Sequence, residues 1–151
     1  MIVNLGVKRI IGVVGLISSV ATSLLVLSCN SSAQSKAQAD YLDAVRHRNA
    51  VQARIQSDPA TAWTELRSLA AEMKRAEEEE LSKLEAGAWP PNAEAAIAEL
   101  MKEIRLALPY WQKAAEATTP DEVYSNIDTA FDYCGGPAAG KVRTALGLPQ
   151  A

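Results

Sequence analysis

Histidine occurs once in this chain, as His47, and cysteine twice, as Cys29 and Cys134. One imidazole cannot furnish a histidine-rich metal site or the paired Glu-x-x-His motifs of a di-iron bundle. His47 reads as a rim side chain in preference to an axial haem ligand with Met73 or Met101. The sequence has no Gly-x-Ser-x-Gly elbow, no phosphate-binding loop and no dinucleotide fingerprint, the signatures of many hydrolases and nucleotide-dependent enzymes. A nucleophilic Cys134 would need an oriented base, and His47 falls on a different predicted helix. No catalytic residue, metal or cofactor is therefore expected, and an enzyme ranks behind two other function classes. Aromatic residues make up only 5% of the chain, and no stretch alternates with period two long enough for a convincing strand.

What is present begins at the N-terminus. Lys8 and Arg9 are followed by eighteen uncharged residues, Ile10 to Leu27, then Ser28, Cys29 and the small polar run Asn30 to Ser35. A basic start, an apolar middle and a small residue before the cut describe a secretory signal. The stretch Val26-Leu27-Ser28-Cys29 resembles the lipobox of bacterial lipoprotein precursors. Val26 supplies the aliphatic residue and Ser28 the small one, while Leu27 is less usual at its position. The resemblance implies that Cys29 gains a diacylglycerol thioether and becomes the first residue after cleavage. Two or more acyl chains hold a protein stably on a bilayer where one does so only marginally. An uncleaved span is the alternative, because eighteen helical residues reach about 27 Å; plain secretion is a third. The expected organisation is a signal peptide over 1–28, a lipidated cysteine and polar tether over 29–35, and one helical domain over 36–151. The expected address is the outer face of the cell membrane.

Removing Lys8 and Arg9 from the 15 basic residues leaves 13 against 18 acidic ones, a net charge of −5. That balance gives no electrostatic case for nucleic acid or for anionic lipid headgroups. With Cys29 lipidated, Cys134 has no partner within the chain. It reads as a small buried apolar group, or as half of an intermolecular disulfide.

Helical periodicity recurs, punctuated by proline and glycine. The first helix is predicted over 36–57, with Tyr41, Ala44, Val45, Val51 and Ile55 on one face and Arg48 and Gln52 within the same arc. Asp58 and Pro59 suit a cap and first helical position, so the second helix is predicted over 59–86. The third runs from 91 or 92 to 117, with an apolar phase that continues through Pro109. That predicts one kinked helix; Leu108, Pro109, Tyr110 and Trp111 are where a pocket would open, with plain packing there the favoured reading. Trp89 is expected to fold back over the bundle end. Thr119, Pro120 and Glu122 form a capping-box start for a fourth helix ending near Cys134. A short fifth is predicted over 138–146. Short connections favour antiparallel neighbours, so the predicted fold is an all-α, up-down bundle of four helices plus a short C-terminal one.

Glu77, Glu78, Glu79 and Glu80 form an acidic run in the second helix. Residues 78 and 79 point outward, while Glu77 falls on the apolar stripe with Glu80 beside it. Either the run is a solvated face, or Glu77 is a semi-buried carboxylate paired with Tyr41 and its pKa is raised. The mature part is also similar to small helical lipoproteins of high-GC Gram-positive bacteria, through Tyr41-Leu42 with Asn49, Trp89-Pro90, and Val142-Arg143 to Leu146-Gly147-Leu148-Pro149. That similarity implies a fold and an address and no activity. Two functions remain. One is an interaction module that docks another envelope protein through helix faces or the Glu77–Glu80 run. The other is a carrier of a small apolar molecule or lipid, entered near Pro109.

Overall fold

The computed structural model describes residues 20–57, 62–134 and 137–150, with side chains from Ser32 onward. Among these residues lie five helices: α1 (Val20–Ser57), α2 (Trp63–Ala86), α3 (Pro91–Glu116), α4 (Pro120–Cys134) and α5 (Ala138–Leu146). No strand occurs among the described residues. The fold class is all-α, as the sequence pattern predicts.

The start of α1 differs from expectation. The stretch 29–35, read as a tether, is helical backbone continuous with α1. No proline or glycine interrupts residues 20–57, and extending a helix costs far less than starting one. Asp58 and Pro59 lie outside the described residues, as does the Cys29 side chain. Among the described residues, no helix is long and apolar enough to cross a membrane.

Side-chain contacts fix the direction of each helix. Asp43 pairs with Lys83, His47 with Glu79 and Arg54 with Glu72. Position rises on α1 as it falls on α2, so the two are antiparallel. Arg105 of α3 reaches Glu85 of α2, and Arg67 near the start of α2 reaches the Ala115 carbonyl at the far end of α3, which makes that pair antiparallel too. Along α3, Trp111 meets Phe131, Glu99 meets Lys141 and Asn92 meets the Ala145 carbonyl. Thus α5 continues the direction of α4, and the two form a fourth rod broken between Cys134 and Ala138. The break carries Pro137, which cannot donate a helical hydrogen bond.

Local chemistry accounts for the ends. At the start of α4 the Thr119 N–H donates to Glu122 Oε2 (3.1 Å), and the Glu122 N–H donates to Thr119 Oγ1 (3.4 Å), the reciprocal capping box. Gly147 ends α5 with φ of +69°, and its N–H donates to the Thr144 carbonyl, a left-handed cap that favours glycine. Trp89 does fold back: its indole N–H donates to the Leu84 carbonyl (2.7 Å). A Cβ on Gly87 would stand 2.4 Å from that ring, so residue 87 must be small for the loop to close. Pro109 lies inside α3 on an exposed position, where water can satisfy the Arg105 carbonyl that loses its helical donor.

Two apolar clusters make the core. One joins Tyr41 and Val45 of α1, Leu84 of α2, Ile97 and Leu100 of α3 and Val142 and Leu146 of α5. The other joins Leu69 and Met73 of α2, Trp111 of α3 and Val123 and Ile127 of α4. They meet at the level where the fourth rod breaks. Helices α1 and α4 do not pack against each other, whereas α1 does touch α5.

Candidate functional site

Between the clusters lies a layer of buried polar groups. On α2, Glu77 is 1% exposed and Glu80 is 0% exposed. The helical period places them one turn apart on the inward face, while Glu78 and Glu79 are exposed. The acidic run is therefore no single partner surface: half of it is core, because a four-residue run spans more than one turn.

Each buried carboxylate has one partnered oxygen. Glu80 Oε2 accepts from Arg48 Nε at 3.2 Å, and Arg48 Nη1 donates to Gln52 Oε1 at 2.8 Å. Glu77 Oε1 accepts from the Cys134 thiol at 2.6 Å. Glu77 Oε2 and Glu80 Oε1 are buried without a hydrogen-bond partner. The predicted contact between Glu77 and Tyr41 does not hold. Glu77 is buried, but Cys134 is its hydrogen-bonding partner, while the charge nearest Tyr41 in effect is that of Glu80. Tyr41 itself is 1% exposed.

Burial governs the electrostatics. Desolvation pushes Glu77 up to about 7; the Cys134 and Trp111 donors oppose the rise, the Glu80 charge adds to it, and Arg48 lowers it. Desolvation also raises Glu80, against the attraction of Arg48. Burial, with the neighbouring Glu77 carboxyl, drives the Cys134 thiol far above its ordinary value. A thiol is nucleophilic and oxidation-prone only as thiolate, so Cys134 is held in its inert form. It is half-buried, not a simple apolar plug: it is a hydrogen-bond donor to a core acid. Trp111 Nε1 is buried beside this layer, near enough for its N–H to favour the Glu77 carboxylate but outside hydrogen-bond geometry.

Among the described residues, the side chains proposed to line a pocket are packed against neighbours, apart from the exposed Pro109. Trp111 is 0% exposed and packs edge-on against Phe131, with ring centroids 5.1 Å apart. Tyr110 stacks on Tyr133 at 5.7 Å. Leu108 packs against the first cluster, and Pro109 faces solvent. Aromatic side chains of α4 fill the space that the proline was expected to leave.

An opening does exist elsewhere. A groove of about 300 Å³ runs between α1 and α5, with Tyr41, Arg48, Asn49 and Gln52 on one wall and Ala139 and Arg143 on the other. It begins beside the polar layer, at Arg48, which bonds Glu80. Sequence periodicity marked Arg48 and Gln52 as polar groups needing partners or a rim, but Arg143 gave no signal because its role depends on which helix faces it. Among the described residues, no cluster of three or more His, Cys, Asp or Glu side chains could hold a metal ion.

On the outer side, α4 carries Asp121, Asp128 and Asp132 on exposed positions, with Tyr124 45% exposed among them. Helical spacing puts all four on one stripe. Among the described residues none of the three aspartates has an ion-pair partner. By contrast, Glu78 and Glu79 are paired with Lys74 and Lys83. No protein-family model, no curated protein and no solved structure matches the chain.

Proposed function

We propose that this chain is a lipid-anchored interaction module, tethered through Cys29 to the outer face of the membrane and docking a basic segment of another envelope protein. The signal-like N-terminus and the lipobox-like Val26-Leu27-Ser28-Cys29 support the anchor. The up-down bundle then presents its helix faces away from the lipid. The observation that carries the docking reading is the α4 stripe: three exposed aspartates without counter-ions around an exposed tyrosine. Complementary charge steers association, and a tyrosine gives a large contact at low entropic cost. The stripe replaces the Glu77–Glu80 run as the acidic docking face. The carrier reading loses its motivating feature, because Trp111 and Phe131 fill the interior beside Pro109.

The test is native mass spectrometry of the full-length product, extracted gently from membranes. The wild type should begin at a lipidated Cys29 and hold a second polypeptide. Reversal of Asp121, Asp128 and Asp132 to lysine, with helicity checked by circular dichroism, should release that polypeptide. A bound apolar molecule that survives the reversal would restore the carrier reading. An unlipidated product retaining Met1 would overturn the anchor.

A further inference from the structure

The groove between α1 and α5 has a chemistry opposite to that of the protein. The chain carries a formal net charge of −3, yet two arginines and no acid line this groove. We propose that it is a binding site for a small oxyanion, a phosphoryl or carboxyl group on a compact polar body, clamped between Arg143 and Arg48. This inference is independent of the docking face on α4, which lies on a different rod segment.

The donor accounting points there. Arg48 spends its Nε on Glu80 and its Nη1 on Gln52. Arg143 spends its Nε on the Pro149 carbonyl. A guanidinium has further N–H donors beyond these, in a planar fork that matches carboxylate and phosphate. Glu80 compensates Arg48, but among the described residues Arg143 has no ion-pair partner, although it is half-buried. A partly buried charge without a counter-ion calls for one. Asn49 and Gln52 supply amide groups on the opposite wall, and Val45 and Ala139 give a small apolar surface. A volume of about 300 Å³ lies at the small end of ligand pockets. It admits an acid or phosphate ester of a few carbons and excludes a large cofactor.

The existing hydrogen bonds also make the site rigid. Glu80 and Gln52 hold the Arg48 guanidinium, and Gln34 and Gln38 tie α1 to the Leu146 carbonyl at the end of α5 (2.8 and 2.7 Å). The two walls are therefore fixed relative to each other before an anion arrives, which lowers the ordering cost of binding.

The experiment uses the full chain in nanodiscs of phosphatidylcholine, followed by the NMR signals of the Arg48 and Arg143 side chains. Inorganic phosphate, glycerol phosphate and acetate are titrated in turn at constant ionic strength. The expected result is a saturable shift of both arginine signals with at least one of these anions. Arg143→Gln should weaken that binding roughly tenfold or more. Ala139→Leu should block it by occupying the groove while keeping both charges, and Arg48 is left intact because it also anchors Glu80. If saturation appears without added solute once phosphatidylglycerol enters the disc, the oxyanion is a lipid headgroup; if it needs added solute, it is a free small anion. Shifts that never saturate, or that survive both variants, overturn the proposal.

Discussion

At the α5 end of the bundle, α1 buries Ala37, Tyr41, Ala44 and Val45 in the core; at the α4 end it buries Val51, with Ile55 partly covered. The first cluster is closed by four helices. The second is closed mainly by three, with α1 riding on its flank and making no contact with α4. The same helix is thus held in two ways. Apolar burial fixes one half, at about 25 cal/mol per Å² removed from water. Charge pairs line the other, including Arg48 with Glu80 at 3.2 Å and Arg54 with Glu72 at 2.7 Å. Exposed pairs contribute little each. A bundle can therefore leave a groove along one helix without losing its core, provided that another part of that helix is well buried.

Damage confined to the second cluster should have the largest effect. Trp111 is its largest fully buried side chain, and Trp111→Ala should cost about 3–5 kcal/mol in denaturant unfolding. Hydrogen exchange should rise in α4 and around Ala107 to Ala117 before it rises in α5. Equal acceleration throughout would show that the two clusters unfold as one unit.

Next in size is the polar layer between them. Glu77 has a folded pKa of about 7 against an ordinary value of 4.5. Between those two values the folded state holds a proton that the unfolded chain has released. The stability contributed by Glu77 is therefore full below about pH 4.5 and is lost progressively as pH rises to about 7. Glu77→Gln removes that penalty and keeps an acceptor for the Cys134 thiol. The variant should be more stable than the wild type at pH 8 by up to about 3 kcal/mol, and the slope between pH 4.5 and 7 should flatten. A wild type whose stability rises over that interval would show Glu77 to be charged and solvated when folded.

The smallest effect should come from the charge-held half of α1. Arg54→Ala should cost less than about 1 kcal/mol and lose even that in high salt. Val45→Ala, in the burial-held half, should cost more and be insensitive to salt. If the two substitutions are alike, the division of α1 into two regimes is wrong.

Much of this was legible in the sequence. Tyr41, Val45, Leu69, Met73, Ile97, Leu100 and Trp111 recur at helical spacing, and the boundaries at Gly87, Thr119-Pro120 and Gly147 are written in cap chemistry. The helical continuity of 29–35 was misread because small polar residues suggest a tether, whereas a helix with no breaker simply extends. Near Pro109 the favoured reading of plain packing agrees with the structure, but the sequence could not say that Phe131 and Tyr133 of α4 would supply the contacts. The acidic run was half legible: periodicity put Glu77 on the apolar stripe but could not say that Cys134 would meet it there.

The helical fold class, the capping box at Thr119, the glycine end at Gly147 and most buried faces are written in the sequence, whereas the starts of α1 at Val20 and α2 at Trp63 are not. Each of the features so written depends on residues close together in the chain, through hydrogen bonds or spacing within a few turns. Only the tertiary structure decided which buried acid found which partner, that α5 continues the line of α4, and that Arg143 faces Arg48 across a groove. Those pairings join positions that are dozens of residues apart. They depend on how whole helices dock, which no local spacing encodes.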